Sequence, residues 1–300
     1  MIIRVSRRTV LVGGLAAALA GCAGRAAAPP AAPPPGPVTA DPTAALVELE
    51  RRSGRRITLV ARDTGTGREV RHRADERALM ASTVKVLIVA AVLRRRLAEP
   101  GLLERTIRYT RADLLEYAPT TSRNVDTGMT VAALCEAAIV VSDNTAANLL
   151  TALVGGPAAT TAFVRTLGDP VTRADRPEPG LNETAPGDER DTTTAAAMAG
   201  DLQALVLGEA LDPAGRDLLA GWMVGAVTGT EQIRAGLPRD WRVGDKTGSG
   251  AQGENNDVAV VWPPGRAPWV ITVYTSPAEP ASTNGRPTVA EATRIAAAGL

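Results

Sequence analysis

A chain of 300 residues that is 45% apolar and 22% charged can bury a large core, as one sizeable domain or two interleaved ones. Its formal net charge of +1 offers no basic face for nucleic acid. One histidine, His72, and two cysteines, Cys22 and Cys135, leave no material for a hydrolytic zinc site, a Ser-His-Asp triad or an internal disulfide in an exported chain.

The first forty residues read as lying outside the fold. Arg4 to Arg8 form a positive n-region, and Val10 to Ala20 an apolar stretch too short for a lasting membrane span. Residues 1–22 are thus expected to be an export signal. Arg7-Arg8 resembles a twin-arginine signal, and Leu19-Ala-Gly-Cys22 resembles a bacterial lipobox, whose Cys22 would be lipidated and anchored to the outer face of the cell membrane. Ordinary secretion after cleavage near Ala20, with Cys22 left as a free thiol, is the alternative. Residues 23–40, mostly Ala and Pro, read as an extended tether.

Asp41-Pro42 predicts a helix N-cap with proline in the first turn, and Ser53-Gly54 its end. Ile57 to Ala61, a Thr-Gly-Thr-Gly turn and Glu69 to Arg73 predict a β-hairpin, on which His72 would be a solvated surface residue. Helical periodicity then takes over at 82–98, 130–141, 145–154, 158–167 and 192–207. Arg94 to Arg96 read as a solvated helix end, and Cys135, in an apolar run, as a buried core residue. Val258 to Trp262 and Trp269 to Thr275 predict a second hairpin, and 288–298 a closing helix. The expected fold is α/β of the α+β type: an antiparallel sheet flanked by N- and C-terminal helices (41–78 and 222–300) with an inserted all-helical domain (79–221) and a site at their interface.

Cation usage nominates that site. Against 31 arginines there are two lysines, Lys85 and Lys246, each inside a short motif, Ser82-Thr-Val-Lys85 and Lys246-Thr-Gly248. An ammonium can shed its proton when buried and a guanidinium cannot, so a role that needs this excludes arginine. Ser82 falls where an all-apolar helix, Val84 to Leu93, begins, so the helix N-terminus would serve a developing oxyanion, and Lys85, three residues on, would reach back to the Ser82 hydroxyl. Lys246-Thr-Gly-Ser249 reads as a strand at the mouth of a cleft, where Gly248 admits a ligand backbone. Ser142-Asp-Asn144 reads as a polar turn capping the next helix.

In the order Ser-x-x-Lys, Ser-Asp-Asn, Lys-Thr-Gly, these motifs resemble the serine β-lactamases and penicillin-binding proteins, from about Asp41 to Leu300. The long segment between Gly168 and Asp191 contains Glu178-Pro-Gly-Leu-Asn182, which resembles the class A omega loop, with Arg173, Asp175, Arg176 and Asp191 at the positions that pin it. The resemblance implies hydrolysis of the lactam ring of penicillin- and cephalosporin-type antibiotics. Ser82 would be the nucleophile, with Lys85 or Glu178 as acylation base; Ser142 would relay a proton to the leaving nitrogen. Glu178 would activate the deacylating water, and Asn182 would position it. Tyr117, Asn144, Lys246, Thr247, Gly248 and Ser249 would bind substrate. It implies no metal and no organic cofactor, no nucleic-acid partner, a membrane link only through Cys22, and a monomer.

Departures from the family touch specificity. Two places where class A enzymes carry a carboxylate-holding arginine are Gln232 and Asn255 here, with Arg234 close by in another register as a possible substitute. The family's cysteine bridges are also missing: Val89 stands opposite Cys135, and Ala81 opposite Gly250. A D-Ala-D-Ala carboxypeptidase would keep Ser82, Lys85, Ser142 and Lys246 without needing Glu178, and a non-turnover β-lactam sensor would stay acylated; both predict little turnover.

Overall fold

The computed structural model describes residues 41–280 and 282–300; the expected export signal, Cys22 and the tether lie outside them. In chain order the elements are α1 (Pro42–Ser53), β1 (Arg55–Asp63), β2 (Glu69–His72), β3 (Arg77–Leu79), α2 (Lys85–Arg95), β4 (Thr106–Ile107), β5 (Met129–Thr130), α3 (Val131–Val140), α4 (Asn144–Val154), α5 (Pro157–Arg165), β6 (Thr192–Thr194), α6 (Ala195–Leu202), α7 (Pro213–Val224), β7 (Arg242–Ser249), β8 (Asn255–Trp262), β9 (Trp269–Pro277) and α8 (Gly285–Ala298). This is the expected mixed α/β arrangement. Among the described residues no single helix is long and apolar enough to cross a membrane.

The main sheet has the order β2-β1-β9-β8-β7 and is antiparallel throughout. Alternation along its strands makes two apolar layers. Ile57, Leu59 and Ala61 of β1, with Ala259 and Val261 of β8, join Leu46 and Leu49 of α1 and Val289, Ala292 and Ala296 of α8. The opposite face, carrying Val60, Val258, Val260 and Tyr274, joins the larger core built on α2. Every residue of α2 from Lys85 to Leu93 is buried, so this helix is the axis around which the others pack.

The ends of the elements follow local chemistry. Asp41 caps α1 through its side chain, and Gly54, at φ +66°, ends it in the left-handed region that glycine enters without a Cβ penalty. Thr130 and Asp143 likewise accept from backbone N–H groups in the first turns of α3 and α4.

Three expectations need correction. His72 is buried, 5% exposed, with Nε2 3.3 Å from Glu50 Oε1, because the hairpin lays it under α1. The stretch 192–207 is not one helix: its three threonines, β-branched and extended, pair as β6 with Arg77–Leu79, and α6 starts only at Ala195. Of the arginine run only Arg94 is exposed; Arg95 donates to Leu153 O, and Arg96 lies 2.6 Å from Asp212, which caps α7, so the run ties three helices together.

Candidate active site

Ser82 sits in a single 3₁₀ turn, Ala81–Val84, that runs directly into α2. The residue before it, Ala81, has φ +46°, and Ser142 has φ +59°. Left-handed backbone at a residue with a Cβ costs on the order of 1–3 kcal/mol and persists only where surroundings impose it. Here they do. The strand β7 closes on this turn: a Cβ at Gly248 would lie 2.7 Å from Met80 O, so only glycine permits the approach. Asn256 of β8 donates from Nδ2 to Leu79 O at 2.8 Å, and Met80 N donates to Asp191 O at 2.9 Å. The turn that carries Ser82 is thus held from the sheet and from the long loop.

The hydroxyl of Ser82 donates to Glu178 Oε1 at 3.1 Å. Lys85 was expected to reach Ser82 directly; instead its Nζ stands 3.0 Å from that same Glu178 oxygen and donates to Ser142 O at 2.9 Å, Ser142 Oγ at 3.2 Å and Asn144 Oδ1 at 2.6 Å. Lys85 is fully buried. Burial lowers its affinity for a proton below the ordinary lysine value, and the Glu178 carboxylate opposes that shift.

Lys246 comes from the opposite wall. Its Nζ donates to Ser142 Oγ at 2.9 Å, so both lysines of the chain converge on one hydroxyl. It too is fully buried, which rules out a solvated strand-edge role. Burial, reinforced by the neighbouring Lys85 charge, pushes its pKa down to about 7. Asp245 beside it and Asp257 across the ladder from Thr247 are also buried. Burial, together with the Asp245 charge, holds the Asp257 carboxyl well above the usual range.

Glu178 is 3% exposed and is delivered by a loop that is firmly pinned. Asp191 Oδ1 accepts from the backbone N–H groups of Asp175 and Arg176 at 2.8 and 3.0 Å, and its Oδ2 pairs with Arg176 Nε at 2.6 Å. Arg173 pairs with Asp175 at 2.6 Å and holds that carboxyl below its ordinary value. Asn182 Nδ2 donates to Glu178 Oε2 at 2.5 Å, and Asn182 O accepts from Ala251 N at 2.9 Å, joining the loop to the turn after β7.

Between these walls lies a cleft of about 290 Å³ lined by Ser82, Tyr117, Ser142, Asn144, Asn182, Thr247, Gly248 and Ser249. Every cleft residue named from the motifs therefore meets in one place, with Lys85, Glu178 and Lys246 buried directly behind it. The two walls are coupled: Asn144 N donates to Tyr117 O at 2.9 Å, and Asp143 accepts from Thr120 and Thr121 N–H groups at 2.9 Å.

Sequence reasoning missed three contributors. Asn148, one turn after Asn144 on α4, accepts from Glu178 N and donates to Glu178 O, both at 2.9 Å; the i, i+4 spacing of two asparagines was the only available signal. Thr228 shares a 2.7 Å hydroxyl contact with Thr247. Arg286, near the start of α8, is the arginine that lines the cleft; it pairs with Glu231 at 2.8 Å on the exposed rim. Gln232 lines the cleft as expected, whereas Asn255 is turned away onto Gly253 O. Arg234 is no substitute, since it pairs with Asp245 and donates to the Met223 and Val224 carbonyls.

The model of the beta-lactamase enzyme family matches residues 41–300. Beta-lactamase AST-1 of Nocardia asteroides is 50% identical over 97% of this chain and 95% of its own length. Beta-lactamase CTX-M-25 of Escherichia coli is 46% identical over 86% of this chain and 89% of its own. Among solved structures, a class A beta-lactamase from Mycobacterium abscessus superposes with a TM-score of 0.83 at 55% identity, covering 85% of this chain and 97% of that one. With a buried lysine, a loop glutamate and a serine meeting at one cleft, and with relatives of this likeness, the chain belongs to the class A serine β-lactamases.

Proposed function

We infer that this chain hydrolyses the β-lactam ring of penicillin- and cephalosporin-type antibiotics through an acyl-enzyme on Ser82, and so confers resistance to them. The observation that carries the residue roles is the shared oxygen: Glu178 Oε1 accepts from the Ser82 hydroxyl and also meets the Lys85 amine.

In acylation the Ser82 proton passes to Glu178 as Oγ bonds to the lactam carbonyl carbon. The backbone N–H groups of Ser82 and Ser249 form the oxyanion hole, worth roughly 3 kcal/mol per donor in comparable sites. When the C–N bond breaks, Ser142 gives its proton to the nitrogen and regains one from Lys85, which recovers one from Glu178. The carboxylate is thereby restored. It then deprotonates a water held with Asn182; as hydroxide adds to the ester carbon and the C–Oγ bond breaks, Glu178 returns that proton to Ser82 Oγ, restoring both groups. Lys246, Thr247, Ser249 and Arg286 hold the substrate carboxylate, Asn144 meets the acylamino group, and Tyr117 forms the outer wall. The chemistry asks for no metal or organic cofactor.

Export through residues 1–22, lipid anchoring at Cys22, and action as a monomer outside the cell membrane belong to the same reading. So does the division into a sheet domain (41–78, 222–300) and a helical domain (79–221) around the cleft.

The test is hydrolysis of a chromogenic cephalosporin by the wild type beside Glu178→Ala. The variant is expected to lose deacylation by about 10²–10⁴-fold and to accumulate an adduct on Ser82 visible by intact mass. Normal turnover by the variant would overturn the role given to Glu178; a wild type that acylates but does not turn over would favour a penicillin-binding sensor or carboxypeptidase.

A further inference from the structure

The catalytic cleft is not the larger cavity of this protein. A second one, of about 550 Å³, lies behind it, between the inner face of the sheet at the start of β1 and the tip of the loop that carries Glu178. Its volume is in the range that holds small organic ligands.

The cavity's walls are the back side of the catalytic machinery. Thr184, Ala185 and Pro186 follow Asn182 after one intervening residue, and Gln252 follows Ala251, whose N–H holds the Asn182 carbonyl. Asn256, on the floor, donates to the Leu79 and Met80 carbonyls just before the nucleophile's turn. Three segments that shape the active site therefore meet here without any of the catalytic side chains.

The lining has a polarity. Arg56 and Arg77 stand at the mouth, half-exposed. Arg56 pairs with Glu76, and Arg77 pairs with Glu189 at 3.6 Å and donates to Val171 O and Thr192 Oγ1; each guanidinium has five donors, so an entering carboxylate would share it with these exposed partners. Inside, Ala78, Leu79, Pro186 and the Tyr274 ring supply an apolar body. Glu254, the one acid of the lining, accepts from Gln252 N at 3.0 Å and lies near the buried Arg55, while Glu76 and Glu189 stand outside the lining against the two mouth arginines. Thr58, 4% exposed on the floor, has an Oγ1 with no hydrogen-bond partner.

We propose that this cavity is a second ligand site, which takes a small amphiphilic monocarboxylate with an aromatic body, its carboxylate on Arg56 and Arg77 and its ring toward Leu79 and Tyr274. Guanidinium forks suit a carboxylate at such a mouth. Because the cavity is already formed with the loop in its catalytic position, occupancy holds the loop there.

The probe is 4-phenylbutyrate, with the uncharged 4-phenylbutanol as control, added to the full chain and to Arg56→Ala, Ser276→Trp and Arg286→Ala. Arg56 and Ser276 lie at the mouth and outside the catalytic machinery, so hydrolysis by those two variants reports that they fold. At ten times Kd the carboxylate is expected to raise Tm by about 3 °C and to slow amide exchange across residues 183–189. Arg56→Ala is expected to weaken binding about tenfold or more, Ser276→Trp to abolish it by filling the mouth, and Arg286→Ala to leave it intact. Equal binding of the alcohol, binding that survives in both mouth variants, or loss in Arg286→Ala, which would put the ligand in the catalytic cleft, each overturns the proposal.

Discussion

Ser82 Oγ and Glu178 Oε1 stand 3.1 Å apart although 96 residues separate them along the chain. Neither residue's own element brings this about. The contact is imposed by bonds made elsewhere: Asp191 O to the backbone before Ser82, Asn148 to both backbone groups of Glu178, and Asn182 to Ala251. The Ser82–Glu178 geometry is a property of the supports, and Asn148 and Gly248 are the places where they can be probed.

Asn148→Ala removes the clamp on Glu178 and leaves its N–H and C=O without their partner. The expected cost is about 1–3 kcal/mol in stability, with deacylation slowed roughly tenfold or more and acylation less affected. Pre-steady-state bursts separate the two steps. Asn148→Asp keeps the acceptor and loses the donor, so it should fall between; a variant that deacylates like wild type would remove Asn148 from the positioning role.

Lys246, with a pKa pushed down to about 7 from the ordinary 10.5, carries its charge below that pH and loses it above. Attraction for the substrate carboxylate is therefore present at pH 6 and fades as pH rises through about 7, so kcat/KM should show an alkaline limb there. Lys246→Arg keeps its charge and should flatten that limb. For stability the sign is opposite: between about 7 and 10.5 the unfolded lysine holds a proton that the folded one has released, so the cost of burying this ammonium is greatest below 7 and is relieved as pH rises. A pH profile of kcat/KM with no break between 6 and 9 would contradict the assignment.

Gly248→Ala places a Cβ 2.7 Å from the Met80 carbonyl and 3.3 Å from the Ala81 Cβ. Backbone must yield, and what yields is the spacing between β7 and the turn that carries Ser82. Overpacking of this kind costs about 1–3 kcal/mol, and a displacement near 1 Å costs on the order of 10²-fold in rate. Tm and kcat/KM on the same preparation test both; an alanine tolerated with full activity would show the approach to be looser than the distances imply.

Asp201 lies 2% exposed against Asp169, and neither Oδ2 has a donor among the described residues. Burial, with the Asp169 charge, pushes Asp201 up to about 9, so the folded protein holds a proton there that the unfolded chain releases above its ordinary 3.8. Stability from this group is present below 3.8 and declines as pH climbs toward 9. Asp201→Asn keeps a donor for Asp169 without the titration. Its Tm advantage should be absent at pH 4 and grow to on the order of 5 °C by pH 9; a pH-independent difference would dismiss the shared proton.

Much of this was legible in the chain itself. Two lysines among 31 arginines marked the two cations that the fold buries against Ser142, and alternation along β1 and β8 and the unbroken apolar run of α2 pointed to the sheet faces and a buried helix. These are signals of composition and period, written in neighbouring residues. The misreadings share a cause: His72 is polar in a polar segment, and only the placement of α1 over the hairpin buries it against Glu50. The threonines of β6 read as helix until β3 is there to pair with them.

What only tertiary structure decided is which polar group faces which. The motifs named Ser82, Lys85 and Glu178, but their spacing suggested a direct lysine–serine contact, and packing instead made the glutamate oxygen the shared partner. Arg234 and Arg286 are equally arginine in sequence, and the fold spends one on Asp245 and turns the other to the cleft. Side-chain type is local information, whereas the direction of a long flexible side chain is set by the neighbours that other parts of the chain bring to it.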